Sequence, residues 1–180
     1  VRIALYFAQH GACGTLLSPK CFAHPKDRNK GGHCLRSKKE YENFLLNLKF
    51  KTERVGNSGS FIRSALGGNP AFSGMEIQIL GDRGGAPNIH STGCIYAAVA
   101  RKKNMSESAG EWNHILIACL ERNVFITMNR QDIVDVDLDE YAVPIEKHSP
   151  LKTRLTKGYI GLQDHGSPIP FRNIRVREMR

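Results

Sequence analysis

The sequence predicts an all-β fold, a sandwich or a barrel. Three observations carry this. Short strands bounded by turn residues recur at close intervals, residues 44–51 alternate with a period of two, and no long segment keeps a helical period. The 17 Gly and 8 Pro are spread along the chain, which argues against a helix bundle. With 180 residues, 41% of them hydrophobic and 24% charged, the chain is long enough to close one core without disulfides.

The elements follow in order. Pro19, Pro25, Gly31 and Gly32 break up the first 35 residues, so we expect an irregular basic segment over 1–34 and a β domain over 35–180. Phe44, Leu46, Leu48 and Phe50 alternate with Leu45, Asn47, Lys49 and Lys51, the pattern of a half-buried strand. Asn57-Ser58-Gly59 reads as a turn, with a strand starting at Phe61. A loop over Gly67–Ser73 separates it from the strand Met75–Leu80. Gly93–Tyr96 is a further short strand, and Lys103–Gly110 is a polar loop. Trp112–Leu120 and Val124–Met128 read as neighbours across a tight turn, with Gln131–Val136 pairing back across Asn129-Arg130. Gly158–Leu162 and Phe171–Val176 complete the set.

Charge is uneven. The net charge is +9, yet residues 1–54 hold 11 Lys/Arg against 4 Asp/Glu, and the remainder is close to balanced. A basic segment can bind anionic polymers, but no nucleic-acid motif accompanies this one, so a nucleic-acid partner is not expected. The five Cys make an odd count without a CxxC pair, so no disulfide framework is indicated. Cys21, His24, His33 and Cys34 cluster, but their spacing is not that of a zinc site, and we expect no metal and no cofactor. No apolar run approaches the roughly 20 residues of a membrane helix. Val1–Ala8 lacks a signal-peptide layout, and because residue 1 is not Met a leader upstream stays open.

The strand around Glu76 is the most informative. Side chains alternate across a strand, so Ile77 and Ile79 suit a core while Glu76 and Gln78 share the opposite face. A conventional glycosidase needs two carboxyls about 5–9.5 Å apart. The same-face neighbour of Glu76 is an amide, and Asp82 lies roughly 20 Å further along an extended strand. An ordinary two-carboxylate mechanism is therefore not visible on this strand.

Six segments occur in order: Asn57-Ser58-Gly59, Gly74–Gln78, Ser91–Tyr96, Gly110–Asn113, Gly158–Gly166 and Phe171–Arg175. Together they resemble the 3-keto-disaccharide hydrolase family over about residues 35–180. The resemblance implies a concanavalin A-like jelly-roll sandwich of two antiparallel sheets. It also implies a bacterial protein of the periplasm or extracellular space, acting on glycosides whose C3 hydroxyl is oxidised to a ketone. Such a ketone acidifies the C2 proton. A base removes it, and the C1 substituent leaves by elimination.

Roles carried over from the matching positions give Glu76 or His165 as general base and Arg63 as a donor to the C3 oxygen or a hydroxyl. Gln78, Asn113 and Gln163 become amide partners for vicinal hydroxyls, and Tyr96 and Trp112 stacking surfaces. The chain departs from the family pattern at Ser60, at Gly81 and at Arg130, which replaces the Gly of an Asn-Gly turn. It also lacks the expected Trp-containing opening strand in residues 1–34. Two other functions compete: a lectin-like module on the same sandwich, and a basic nucleic-acid-binding protein.

Overall fold

A computed structural model describes Leu5–Tyr6, Leu17–Ser18 and residues 33–146 and 148–179. Among the described residues the sandwich has eleven strands: β1 (Leu5–Tyr6), β2 (Leu17–Ser18), β3 (His33–Ser37), β4 (Phe44–Lys51), β5 (Asn57–Ser64), β6 (Met75–Leu80), β7 (Trp112–Leu120), β8 (Asn123–Met128), β9 (Gln131–Asp137), β10 (Tyr159–Asp164) and β11 (Phe171–Glu178). One four-residue helix, α1 (Pro70–Ser73), joins β5 to β6, with the Asn69 side chain capping it by accepting from the Ala71 N–H. A six-stranded sheet runs β1-β11-β4-β7-β8-β9, and a five-stranded sheet runs β2-β3-β10-β5-β6. All pairings between strands are antiparallel except β1 with β11.

The core lies between the sheets and is filled by the alternation that the sequence shows. Phe44, Leu46, Leu48 and Phe50 of β4 and Ile115, Ile117 and Cys119 of β7 meet Ile62, Met75, Ile77, Ile79, Ile160 and Leu162 from the other sheet. Strand parity then dictates what the five-stranded sheet turns away from this core.

Three expectations need correction. Gly93–Tyr96 forms no strand: it is a turn segment in which Ile95 alone bridges, to Ile77 and Val99. Asn57-Ser58-Gly59 is not a turn but the first part of β5, paired with Leu80, Ile79 and Gln78; turn-type residues are held extended there by a partner on each side. The irregular segment also stops short of 34, because His33 already pairs with Asp164 in β3. Backbone pairing of β1 with β11 and β2 with β3 brings two further pieces of that segment into the sheets. Most of the basic segment, Cys21 and His24 lie outside the described residues. Among those described, no helix is long and apolar enough to cross a membrane.

Candidate active site

On the face of the five-stranded sheet turned away from the core, the register lines side chains up in two rows. Arg36, Gly161, Phe61 and Glu76 are level across β3, β10, β5 and β6. Two residues along, Cys34 pairs with Gln163 and Gly59 pairs with Gln78. The segment 91–96 extends both rows. Ile95 bridges to Ile77, while Tyr96 donates its N–H to Glu76 O at 2.8 Å and Gln78 donates to Cys94 O at 3.2 Å. Tyr96 therefore stands beside Glu76, and Cys94 beside Gln78.

The loop that delivers Tyr96 is pinned by a buried ion pair. Arg101 Nη2 lies 3.0 Å from Asp82 Oδ2, the Thr92 N–H donates to the same carboxylate at 2.9 Å, and Arg101 Nη1 donates to Thr92 O at 2.8 Å. Thr92 Oγ1 also exchanges hydrogen bonds with both backbone groups of Leu80. Asp82 is thus consumed in holding the loop, which accounts for its separation from Glu76.

Glu76 is 3% exposed, and its Oε1 has no hydrogen-bond partner among the described residues. Burial pushes its carboxyl up to about 8. The carboxyl leans over Gly59, where an added Cβ would lie 2.1 Å from Oε1. On the other side of Gly59, Gln163 Oε1 is likewise buried and unpartnered among the described residues. Gln78 Nε2 donates to Asn57 Oδ1 at 3.2 Å. Two buried side-chain oxygens without partners among the described residues lie beside Gly59, whose missing side chain makes room for the Glu76 carboxyl. That is the chemistry of a site for a ligand rich in hydroxyl donors. Among the described residues, no second carboxyl shares these rows. Tyr96 is half-buried and edge-on to His90, with ring centroids 5.0 Å apart. Burial, then Glu76, raises its phenol.

Of the eight residues put forward from the sequence, Glu76, Gln78, Gln163 and Tyr96 come together. The other four do not. Arg63 is fully buried with φ of 50° and points to the end of the sandwich. Its Nε and Nη2 donate to Glu42 O and its Nη1 to Glu121 O, at 3.0, 2.6 and 2.8 Å, so it ties the two sheets together and is directed away from the Glu76 rows. Trp112 is on the outer face of the six-stranded sheet, with the Arg172 guanidinium 3.8 Å from its ring centroid. Asn113 is buried, accepting from the Glu107 N–H and Asn129 Nδ2. His165 is exposed beyond the end of β10. It follows Gly161, the β10 residue level with Glu76, by four positions, roughly 13 Å along the sheet at about 3.3 Å per residue. Sequence reasoning missed Gly59, Gly161 and Phe61; strand parity from Gln163 and Glu76 is the signal that finds them.

A family model, the 3-keto-alpha-glucoside-1,2-lyase-like domain, matches residues 11–177. The chain belongs to this family. The family match begins well inside the segment that the sequence reading set apart. The chain is 24% identical over 171 residues to a 3-keto-disaccharide hydrolase of Bacteroides thetaiotaomicron, covering 77% of this chain. It spans 59% of that relative's length. A Parabacteroides distasonis crystal structure, provisionally assigned as a glycosyl hydrolase, superposes with a TM-score of 0.75 at 30% identity, covering 82% of this chain and 86% of the other. The carbohydrate-binding module CBM66 from Bacillus subtilis shares the fold, with a TM-score of 0.51 at 13% identity over 84% of each chain.

Proposed function

We propose that this 3-keto-alpha-glucoside-1,2-lyase-like domain cleaves 3-keto-glycosides, with Glu76 as the base that takes the C2 proton. The observation that carries the reading is the buried, unpaired Glu76 carboxyl over Gly59, with the unpaired Gln163 Oε1 on the strand that neighbours β5. Removing the C2 proton sends its electron pair into the C3 carbonyl to form an enolate. The enolate then expels the C1 oxygen substituent, which leaves with the proton that Glu76 took from C2, and water adds across the resulting enone, its hydroxyl to C1 and a proton to C2. One base and hydrogen-bond donors suffice. The amide N–H groups of Gln78 and Gln163 and the Tyr96 hydroxyl supply donors on the same face, and Arg63 does not take part. A carboxyl near 8 is a stronger base than an ordinary glutamate and suits abstraction of a carbon-bound proton.

The test compares a 3-keto-glucoside with its unoxidised parent. Only the ketone should turn over, with C2 hydrogen exchanging into deuterated water. Glu76 must be ionised to act, so kcat/KM should climb with pH through about 8 and level off above it. Glu76→Gln should lower kcat about 10²–10⁴-fold with little change in affinity. Comparable hydrolysis of the unoxidised glucoside without C2 exchange would reject the reading.

A further inference from the structure

An open recess adjoins the Glu76 row on the same face. Strands contribute Phe61, Gly161, Tyr159 and Arg36, the loop between β5 and α1 contributes Leu66, and the start of α1 contributes Pro70. Gly161 and Phe61 belong to the row that contains Glu76. Tyr159 lies two residues further along β10, roughly 7 Å away. A substituent on a sugar held over that row reaches the recess without turning. Phe61 belongs to a small apolar cluster with Cys34, Ala71 and Phe72, separate from the main core. Leu66 is 54% exposed at its edge.

The chemistry of the recess differs from that of the two rows. Its surfaces are aromatic and aliphatic. Of its side-chain hydroxyls, Ser64 Oγ already donates to Pro70 O at 2.9 Å, and the other is at the tip of the Tyr159 ring. The Arg36 guanidinium lies over the Tyr159 ring, 4.1 Å from its centroid, and is engaged with it. A second sugar seated there would lose water from its hydroxyls and gain few partners. A planar ring would be covered by Phe61, Tyr159 and Leu66.

We propose that this recess is the leaving-group subsite and that it takes a flat aromatic aglycone. The proposal rests on the 3-keto-glycoside reading above, and the experiment separates the two. Benzyl, methyl and glucosyl 3-keto-glucosides of one anomeric form are compared; benzyl alcohol and methanol leave with similar ease, so the pair differs only in the ring. The benzyl substrate should show kcat/KM about tenfold or more above the methyl one, with the glucosyl substrate no better than methyl. Leu66→Ser and Tyr159→Ala should each shrink the benzyl-to-methyl ratio. A glucosyl preference, or a ratio that neither substitution moves, would overturn the proposal. Calorimetric binding of unoxidised benzyl and methyl glucosides to the Glu76→Gln protein supplies an arm independent of turnover. If no 3-keto-glucoside is cleaved, the functional reading falls. In that case tighter benzyl binding that Leu66→Ser abolishes still supports the recess, and equal binding overturns it.

Discussion

A Cβ at position 59 would sit where the Glu76 carboxyl now lies. The atoms it meets are the end of a flexible side chain, so Gly59→Ala has an inexpensive escape: the carboxyl swings away. The expected outcome is a protein with near-native unfolding behaviour and turnover reduced on the order of 100-fold, because small misplacements of a base are costly. Equal activity in the two proteins would show that the seat over Gly59 is irrelevant. The same carboxyl affects stability. Below about pH 4.5 it is protonated in both folded and unfolded chains. Above that the unfolded chain ionises while the native one holds its proton up to about 8, so the native state is progressively disfavoured as pH rises between those values. Glu76→Gln removes this term. Denaturant unfolding from pH 4 to 9 should show the variant gaining on the parent with rising pH, by a few kcal/mol on the order expected for such a shift, and reaching a plateau above about 8. Parallel curves would contradict the assignment. Parity made Glu76 and Gln78 legible in the sequence, because one buried strand fixes both faces. Arg63 was not legible. Its left-handed backbone turns the side chain off the strand's expected face, and nothing in its neighbours announces two carbonyl partners 21 and 58 positions away.

At the scale of elements, the hairpin between β8 and β9 carries a cost visible in both sequence and structure. Asn129 and Arg130 adopt φ of 48° and 70°, the left-handed pair of a tight hairpin turn, and the second place favours glycine. Arg130→Gly should raise unfolding stability by about 1 kcal/mol, read as a higher denaturant midpoint with an unchanged slope. Destabilisation would mean that the arginine side chain matters more than its backbone. Strands β4, β6 and β7 were readable because their apolar alternation faces one core. Sheet membership was less readable. Trp112 and Asn113 follow a turn and begin a strand, as site residues elsewhere in the fold do, yet β7 pairs with β4 in the six-stranded sheet, and alternation alone does not say which of two sheets a strand joins. The Asn57–Gly59 stretch misled in the opposite way. Its composition belongs to turns, but small residues are needed in β5 because the Glu76 carboxyl passes over it.

For the whole molecule, the strand order matters more than the strand count. β10 lies inside its sheet between β3 and β5, and β11 lies between β1 and β4. Without these two late strands each sheet is split into parts with open edges. A chain truncated before Phe171 should lose cooperative unfolding and bind a hydrophobic dye, since Phe171 and the pairing partners of β4 go with it. A sharp transition in the truncated chain would show that β11 is dispensable. The topology also sets a timetable. As the polypeptide emerges from the ribosome, Glu76 and Gly59 are made early, but Gln163 cannot reach the other side of Gly59 until β10 has inserted between strands already synthesised. Nascent chains must therefore wait with unpaired edges exposed, the condition in which β proteins aggregate and draw on chaperones. The candidate site is complete only when the sandwich is, so partly folded chains carry the carboxyl without the surroundings that make it a base.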